Sequence, residues 1–434
     1  MHKKDFDMPN DIIEAVKSER LVLFAGAGIS TEKKGCYPRT FYEEIKQEMD
    51  LPNSEQLKFS KIMSKYTEQP NGRRNLIRRI RKRFDYVDSF PELYRIATNF
   101  HRELSSVYFI RDIITTNWDD YFERECGATP FVSDEDLIFW DLAYRRVLKI
   151  HGTVNNYGSL VITGEDYQQC YERLNNGALG GFLKSFLATK TIIFIGYSFG
   201  DEDFSSIQEY LSREMSGLNP HAYVVTIDES ANEKFKGTNI TPIITDGTFF
   251  IEKLKELLIK ENLIIPEDTL YIASGYLTFV NGIHKKIGEL DLRNNPEVIY
   301  SLSYLDGLIH ALERVETRHK TGEYSDPYNI MNVTQSYLEE RKVYLKNKQY
   351  FDVAYIDGYV NGLLFIIDVE ELEDIKDKTD PFYLFGYRNK INNFEEYLNL
   401  INNGKVYHKN ARKLAEKIVT DIVQGITVHH KPFL

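Results

Sequence analysis

Short, uninterrupted apolar runs recur through the first part of the chain. They are rich in β-branched residues and lack an alternation of period two, which is typical of strands buried on both faces of a parallel sheet. The runs are LVLFA at 21–25, DIITT at 112–116, RVLKI at 146–150, TIIFIG at 191–196 and AYVVTID at 222–228. Segments with helical spacing lie between them, among them residues 41–49, 76–84 and 204–211. This alternation predicts a doubly wound, Rossmann-like parallel α/β sheet.

The interval between the first two runs is too long for a simple crossover. Residues 42–111 are therefore expected to form several helices, inserted as a module over the first strand–helix turn. Residues 72–84, GRRNLIRRIRKRF, would have one apolar helical face with Arg and Lys on the rest. Such a run is most often a solvated basic face, and contact with an acidic subunit or with nucleic acid is the alternative.

The pattern changes after residues 249–260, which are expected to form an amphipathic closing helix. Buried strand runs give way to long segments with helical spacing at residues 298–315, 333–346, 353–367 and 411–426. We therefore predict two domains: the α/β domain over residues 1–265 and a mostly α-helical C-terminal domain over residues 266–434. Gly358 and Gly362, in an otherwise apolar segment, predict close packing against another helix in the core.

Composition narrows the function classes. The chain of 434 residues has 42% hydrophobic and 27% charged residues, which is ordinary for a globular protein. A net charge of −11 argues against direct binding of nucleic acid through the whole surface. The three cysteines are far apart, so no disulfide framework or cysteine-rich zinc module is expected, and no metal-ligand cluster is apparent. Without an apolar leader or a run long enough to span a bilayer, a cytoplasmic protein that makes no membrane contact is expected.

Polar residues and glycines follow four of the predicted strands. LVLFA leads into Gly26, Ala27, Gly28 and Ser30; DIITT leads into Asn117 and Asp119; RVLKI leads into His151; and TIIFI leads into Gly196 and Ser198. Each feature has a simpler explanation on its own, namely a tight turn, a turn-forming Asn or Asp, a structural histidine, or helix capping by Ser198 or Asp201. Ligands of open parallel sheets, however, bind in the crevice outside the carboxyl ends of the strands. The common position of these residues therefore favours a binding site.

In these motifs the chain resembles the sirtuin family. GAGIS at 26–30 stands as in sirtuins, TTNWD at 115–119 is similar to TQNID, KIHG at 149–152 matches the strand that bears the family histidine, and GYS at 196–198 is similar to GTS. The order and the strand placement agree across the N-terminal domain. The resemblance covers somewhat more than half of the chain and implies a sirtuin-like NAD-binding domain.

The resemblance also implies roles for single residues. Gly26, Ala27, Gly28 and Ser30 would line the NAD pyrophosphate, with Gly196 and Ser198 on the opposite side. Asn117 would lie beside the nicotinamide ribose and help to break the glycosidic bond, and Asp119 would face the nicotinamide carboxamide. His151 would be the general base near the ribose hydroxyls. Asp228, at the end of AYVVTID, is assigned to the adenosine ribose by the general rule for acidic strand ends.

Two departures from the family change the expected reaction. The four-cysteine zinc module of sirtuin deacylases is missing, and the PDFR segment is reduced to Tyr37-Pro38-Arg39 without the aspartate. A protein deacylase or ADP-ribosyltransferase is therefore disfavoured, and water becomes the expected acceptor. This pattern is similar to bacterial sirtuin-like NADases of antiphage defence.

The prediction is thus an NAD+ glycohydrolase that yields nicotinamide and ADP-ribose, linear or cyclised, and depletes NAD in abortive infection. Its C-terminal domain would serve oligomerisation, a partner or regulation, with a homo-oligomer and a HerA-type ATPase as candidate partners. The alternative is a non-catalytic subunit that binds NAD or ADP-ribose within a larger defence complex containing an ATPase or nuclease.

Overall fold

The chain separates into two compact units, Met1–Lys260 and Glu261–Leu434. The computed structural model describes residues 3–432 apart from 33–34, 53–56, 198–220, 369–379, 404, 421 and 423–427. The predicted helix at 204–211 therefore lies outside the described residues.

A parallel sheet of seven strands forms the centre of the first unit, as the apolar runs predicted. In chain order the strands are β1 (Leu21–Ala25), β2 (Asp112–Thr115), β3 (Thr129–Phe131), β4 (Arg146–Lys149), β5 (Thr191–Ile195), β6 (Ala222–Thr226) and β7 (Ile240–Ile244). Their order across the sheet is β3-β4-β2-β1-β5-β6-β7. All residues of β1 and β6 are buried, because helices cover both faces of the sheet.

The sequence did not predict strands β3 and β7. Both lie at an edge of the sheet, and each contains a proline, Pro130 and Pro242 respectively. Proline has no N–H to donate to a strand ladder, so it is confined to edge strands and weakens the strand pattern of the sequence.

Helices account for the long interval between β1 and β2, which confirms the predicted insertion of several helices. The described helices of this unit are α1 (Asn10–Lys17), α2 (Phe41–Glu48), α3 (Phe59–Thr67), α4 (Gly72–Ser89), α5 (Pro91–Ser105), α6 (Tyr121–Cys126), α7 (Gly164–Asn176), α8 (Ala178–Thr189), α9 (Ala231–Lys234) and α10 (Gly247–Lys260). A capping box formed by Thr40 and Glu43 starts α2, and another formed by Thr163 and Asp166 starts α7.

The apolar side of α4 contributes Leu76 and Ile80 to a buried cluster, as predicted. Several of its basic residues form ion pairs. Arg73 pairs with Asp166 at 2.7 Å, and the buried Arg83 pairs with Glu44 at 2.8 Å. These pairs give much of the basic run a structural role within the first unit.

The position of β1 determines where a ligand crevice can form. β1 lies between β2 and β5, so the chain moves to one side of β1 first and crosses to its other side later. Connections that leave neighbouring strands in opposite directions open a crevice at the carboxyl ends of those strands. In this sheet such a crevice is expected between the turns that follow β1 and β5.

The second unit is helical in its described residues, as predicted. Its helices are α11 (Glu267–Gly288), α12 (Val298–Arg318), α13 (Pro327–Lys346), α14 (Tyr350–Asp368), α15 (Phe394–Asn402) and α16 (Lys409–Thr420). Among the described helices, α14 alone has the length and apolar composition of a membrane span, and 67% of that window is buried inside the protein. Burial of this kind is typical of a core helix.

Glycines bring α12 and α14 into close contact. A Cβ atom at Gly358 would lie 1.8 Å from the carbonyl oxygen of Tyr304, and one at Gly307 would lie 2.0 Å from the carbonyl oxygen of Tyr355. At Gly362 a Cβ atom would meet the Cβ of Ala311 at 2.8 Å. The predicted close packing of the helix with Gly358 and Gly362 is therefore confirmed.

Candidate active site

The two glycine turns predicted to face each other are in direct contact. The N–H of Gly26 donates to the carbonyl of Ile195 at 2.8 Å, and the N–H of Gly28 donates to the carbonyl of Gly196 at 2.9 Å. A Cβ atom at Gly26 would lie 2.7 Å from that same Gly196 oxygen. Gly196 has a φ of +81°, which favours glycine. Glycine is thus required on both sides for the turns after β1 and β5 to meet.

The turn after β1 uses several of its own N–H groups. Ala27–Ile29 form a short 3₁₀ turn, and the N–H of Ser30 donates to the carbonyl of Ala27 at 3.1 Å. Gly28 is exposed, while Ser30 is fully buried. The exposed backbone at Gly28 is therefore open to approach, whereas the Ser30 side chain points into the protein.

Asn117 is held by this same turn. Its Nδ2 donates to the carbonyl of Gly26 at 3.2 Å and to Oγ of Ser30 at 3.4 Å, and its backbone N–H donates to Oγ1 of Thr115 at 3.0 Å. The side chain is 4% exposed. Its Oδ1 atom is buried and has no hydrogen-bond partner among the described residues. A buried acceptor without a donor is costly, and such groups are found where a ligand completes the hydrogen bond.

The carboxylate of Asp119 accepts one hydrogen bond at each of its two oxygens. Oγ of Ser30 donates to its Oδ2 at 2.9 Å, and the N–H of Tyr121 donates to its Oδ1 at 3.3 Å. Burial raises the pKa of Asp119, while the charge of Lys149 and the hydrogen bond from Ser30 act in the opposite direction. Ser30 thereby joins the first turn to the TTNWD segment through one buried hydroxyl.

Lys149 is a member of the site that sequence reasoning missed. Its ammonium is fully buried at the end of β4, donates to the carbonyl of Asp119 and lies 3.1 Å from Oε1 of Glu123. Burial also raises the pKa of Glu123, against the effect of Lys149. A lysine inside an otherwise apolar strand run was the available signal, because a buried cation needs a partner.

His151 occupies a position equivalent to that of Asn117 on the neighbouring strand. Thr115 of β2 and Lys149 of β4 are register partners, and Asn117 and His151 each follow by two residues. The His151 ring is 4% exposed and makes an edge contact with Tyr167 of α7, with centroids 5.0 Å apart. Because the strands are parallel and in register, the amide and the imidazole belong to adjacent strand ends.

Tyr197 is a second residue that the sequence did not single out. Its hydroxyl donates to the carbonyl of Ala25 at 3.1 Å and lies 3.2 Å from Oγ1 of Thr116. It connects the ends of β1, β2 and β5. The hydroxyl therefore links the chain segments that follow these three strands.

The contacts of Asp228, one of the two remaining predicted site residues, lie outside this network. Asp228 follows β6, is exposed and accepts the N–H of Ser230 at 2.9 Å; hydrogen bonding to Ser230 lowers the pKa of Asp228. Ser198 lies outside the described residues. The roles of both in binding a nucleotide remain predictions.

Comparison with known proteins agrees with this architecture. The profile of the SIR2-like domain family matches residues 111–243, a range that includes Asn117, His151 and Gly196. The "NAD(+) hydrolase ThsA" of Enterococcus faecium is 29% identical over 203 residues, or 45% of this chain and 40% of that protein. The protein of the same name from Cytobacillus dafuensis is 28% identical over 247 residues, or 53% of this chain and 48% of that protein.

A further relative is "Defense-associated sirtuin 2" of Bacillus subtilis. It is 25% identical over 230 residues, which are 51% of this chain and 22% of that protein. The chain therefore spans less than half the length of these curated relatives. Together with the parallel sheet and the motifs at its strand ends, the comparisons show that the chain carries a SIR2-like domain.

Proposed function

We propose that the chain hydrolyses NAD+ to nicotinamide and ADP-ribose in the crevice beside β1 and β5. The buried, unpaired Oδ1 of Asn117 carries this proposal, since it is a fixed acceptor next to the turn of Gly26–Ser30. The names of two relatives, which describe NAD(+) hydrolases, support the choice of substrate.

The reaction breaks the bond between C1′ of the ribose and the nicotinamide nitrogen, and the bond electrons leave with the nicotinamide. The ribose then carries an oxocarbenium-like positive charge, so the site must present fixed dipoles of the right sign. Gly26 and Ser30 accept from Nδ2 of Asn117, and this leaves its Oδ1 as the free negative end of the amide dipole. In our proposal this oxygen orients the ribose or the attacking water.

His151 is the proposed general base. One water adds through its oxygen to C1′ and loses one proton to the imidazole, so the products are nicotinamide and ADP-ribose with a new C1′ hydroxyl. Imidazole is the side chain most often used as a general base at neutral pH. Tyr167 stabilises one ring orientation by its edge contact with His151.

The remaining residues are proposed to bind the dinucleotide. The exposed backbone at Gly28, with Ala27 and Gly26, would lie along the pyrophosphate opposite Gly196 and Ser198. Asp119 would receive the nicotinamide carboxamide, while Ser30 acts as a positioning residue for both Asn117 and Asp119. Asp228 is proposed for the adenosine ribose.

The biological role that we propose is antiphage defence in the cytoplasm by NAD depletion and abortive infection. The name of the Bacillus subtilis relative supports the connection with defence. Because uncontrolled NAD cleavage is toxic, we propose that the second unit restrains or triggers the enzyme through self-association or a partner protein such as a HerA-type ATPase. Measurement of cellular NAD after phage challenge, together with light scattering of the purified protein, tests this role.

The activity is tested by nicotinamide release from NAD+ by the purified full chain. We expect release by the wild type and by Asn232→Ala, a variant of an exposed asparagine, and little release by Asn117→Ala. The purified proteins could instead bind NAD while all three release equally little nicotinamide. If cellular NAD then also stays constant after phage challenge, the chain is a subunit that binds NAD without cleaving it.

A further inference from the structure

The second unit contains a cluster of two histidines and one aspartate outside the candidate active site. His284 lies on α11, Asp306 lies on α12, and His429 lies near the C-terminus. Nε2 of His284 and Nδ1 of His429 are each 3.0 Å from Oδ1 of Asp306. All three candidate ligand atoms lie within 4.8 Å of one another. The residues are far apart in the sequence, so no spacing motif shows them.

The Asp306 carboxylate is buried and is held in one orientation by the backbone. It is 3% exposed, and the backbone N–H of His430 donates to its Oδ2 at 2.6 Å. One oxygen is thus fixed by the backbone, and the other faces the two imidazoles.

The His284 ring is buried, and its Nε2 atom makes no hydrogen bond to the described residues. Its Nε2 is buried and has no partner of hydrogen-bond geometry among the described residues, although Oδ1 of Asp306 is only 3.0 Å away. The nitrogen is therefore directed away from the line to that oxygen. The rings of His284 and His429 are nearly parallel, with an angle of 3° between their planes and centroids 4.9 Å apart.

We propose that His284, Asp306 and His429 bind one Zn²⁺ ion, with water as the fourth ligand. Imidazole nitrogens and a carboxylate oxygen are common zinc ligands, with bonds of about 2.0–2.2 Å. A tetrahedral site with such bonds separates its ligand atoms by roughly 3.3 Å. Two of the three separations, at 3.0 Å, are close to this value, and the third, between the two imidazole nitrogens, is at most 4.8 Å. The side chain of His429 is 61% exposed, which leaves one side open to water.

The ion would connect the C-terminal segment to two core helices. Near this segment the His430 ring stacks on Tyr355 of α14 at 4.2 Å, and its Nε2 lies 3.3 Å from Oδ1 of Asp352. The His430 N–H, by holding Oδ2 of Asp306, would orient the ligating carboxylate from the outer shell of the site. Zinc is thus expected to stabilise the second unit, since it binds only where the three residues are together.

The test uses the untagged full chain after removal of metal with a chelator. Zinc is returned, the protein is separated from free metal, and bound zinc is measured by mass spectrometry, with affinity from competition against a chromophoric chelator. We expect about one Zn²⁺ per chain and a higher midpoint of thermal unfolding. The control His319→Ala, which changes a histidine outside the cluster, should behave like the wild type.

Variants of the three residues show whether they form a zinc site or lie close together without binding metal. His429→Ala and Asp306→Asn should each weaken zinc binding by at least about 100-fold, which is the upper end of the loss from an outer-shell change. His429→Ala changes a mostly exposed side chain, so its fold, followed by circular dichroism, should be retained even if Asp306→Asn unfolds. Equal zinc binding by the wild type and His429→Ala, including no binding by either, would overturn the proposal. NAD cleavage is not part of this test.

Discussion

Ser30 and Asp119 are 89 positions apart in the sequence, yet the hydroxyl of one donates to the carboxylate of the other at 2.9 Å in the interior of the first unit. The same hydroxyl accepts a hydrogen bond from Nδ2 of Asn117 at 3.4 Å. One side chain therefore connects the glycine turn after β1 to both polar residues after β2. The orientation of the Asn117 amide depends on this connection.

Replacement of Ser30 by alanine is the first test of that dependence. Ser30→Ala leaves the buried Asp119 carboxylate with one donor fewer, so we expect the free energy of unfolding to fall by about 1–3 kcal/mol. Nicotinamide release should fall as well, because Asn117 loses one of its anchors. Urea unfolding and the release assay measure the two effects. Ser185→Ala, at an exposed position, is the control, and an unfolding midpoint for Ser30→Ala equal to that of this control would contradict the role of Ser30.

The contact between the glycine turns gives a second prediction. In Gly26→Ala the new Cβ atom would lie 2.7 Å from the carbonyl oxygen of Gly196, and in Gly196→Ala a φ of +81° adds backbone strain. We expect each variant to lose more than about 1 kcal/mol of stability and to bind NAD weakly. Gly181→Ala is the matched control in a helix, with no atom within 4 Å of the new Cβ, and should be neutral or stabilising. If Gly26→Ala binds NAD with the affinity of the wild type, the turn after β1 is not part of the binding site.

The buried carboxylate of Asp119 gives stability a defined pH dependence. Burial raises the pKa of Asp119 above its value in the unfolded chain. Its contribution to stability is therefore present below about pH 4 and is lost as the pH rises through the folded-state pKa. The stability of the wild type relative to Asp119→Asn should fall with rising pH in urea unfolding experiments above pH 4.

Asp166 provides a control of opposite sign. Burial opposes its ionisation, but the Arg73 guanidinium and the N–H groups of Thr163 and Ile162 lower the pKa of Asp166. Its contribution is present above about pH 4 and is lost as the pH falls through the folded-state pKa. The stability of the wild type relative to Asp166→Asn should thus rise with pH. Slopes of the same sign for the two variants would contradict the assigned electrostatics.

The helix contact in the second unit is tested by Gly358→Ala. The added Cβ would lie 1.8 Å from the carbonyl oxygen of Tyr304, so α12 and α14 must move apart. We expect a loss of roughly 1–3 kcal/mol or more, as for overpacked cores. Gly282→Ala is the control, because nothing lies within 4 Å of its new Cβ. Equal thermal unfolding midpoints of the two variants would show that the helices are not in contact at Gly358.

The sequence predicted the five central strands because each is a short apolar run buried on both faces. It missed Thr129–Phe131 and Ile240–Ile244 because Pro130 and Pro242 weaken the strand pattern, and only an edge position tolerates them. Edge position depends on strand order, which a local pattern does not contain.

The candidate site could be proposed from the sequence only because its polar residues and glycines directly follow the predicted strands. The partners of those residues were not predictable, because Lys149, Tyr197 and the Ser30 hydroxyl act on groups distant in the sequence. For the same reason the cluster of His284, Asp306 and His429 has no sequence signature. The expectation that no metal is bound rested on the wide cysteine spacing and on the lack of a ligand cluster that the sequence itself reveals.

The most direct test of the central claim measures NAD binding and NAD cleavage in the same samples of the wild type and His151→Ala, with His221→Ala, at an exposed position, as the control. Calorimetry gives the affinity and chromatography gives the nicotinamide released. We predict that His151→Ala binds NAD within about threefold of the wild type, a cost below 1 kcal/mol, but releases almost no nicotinamide. Release by His151→Ala at the rate of the wild type would contradict a base at the end of β4.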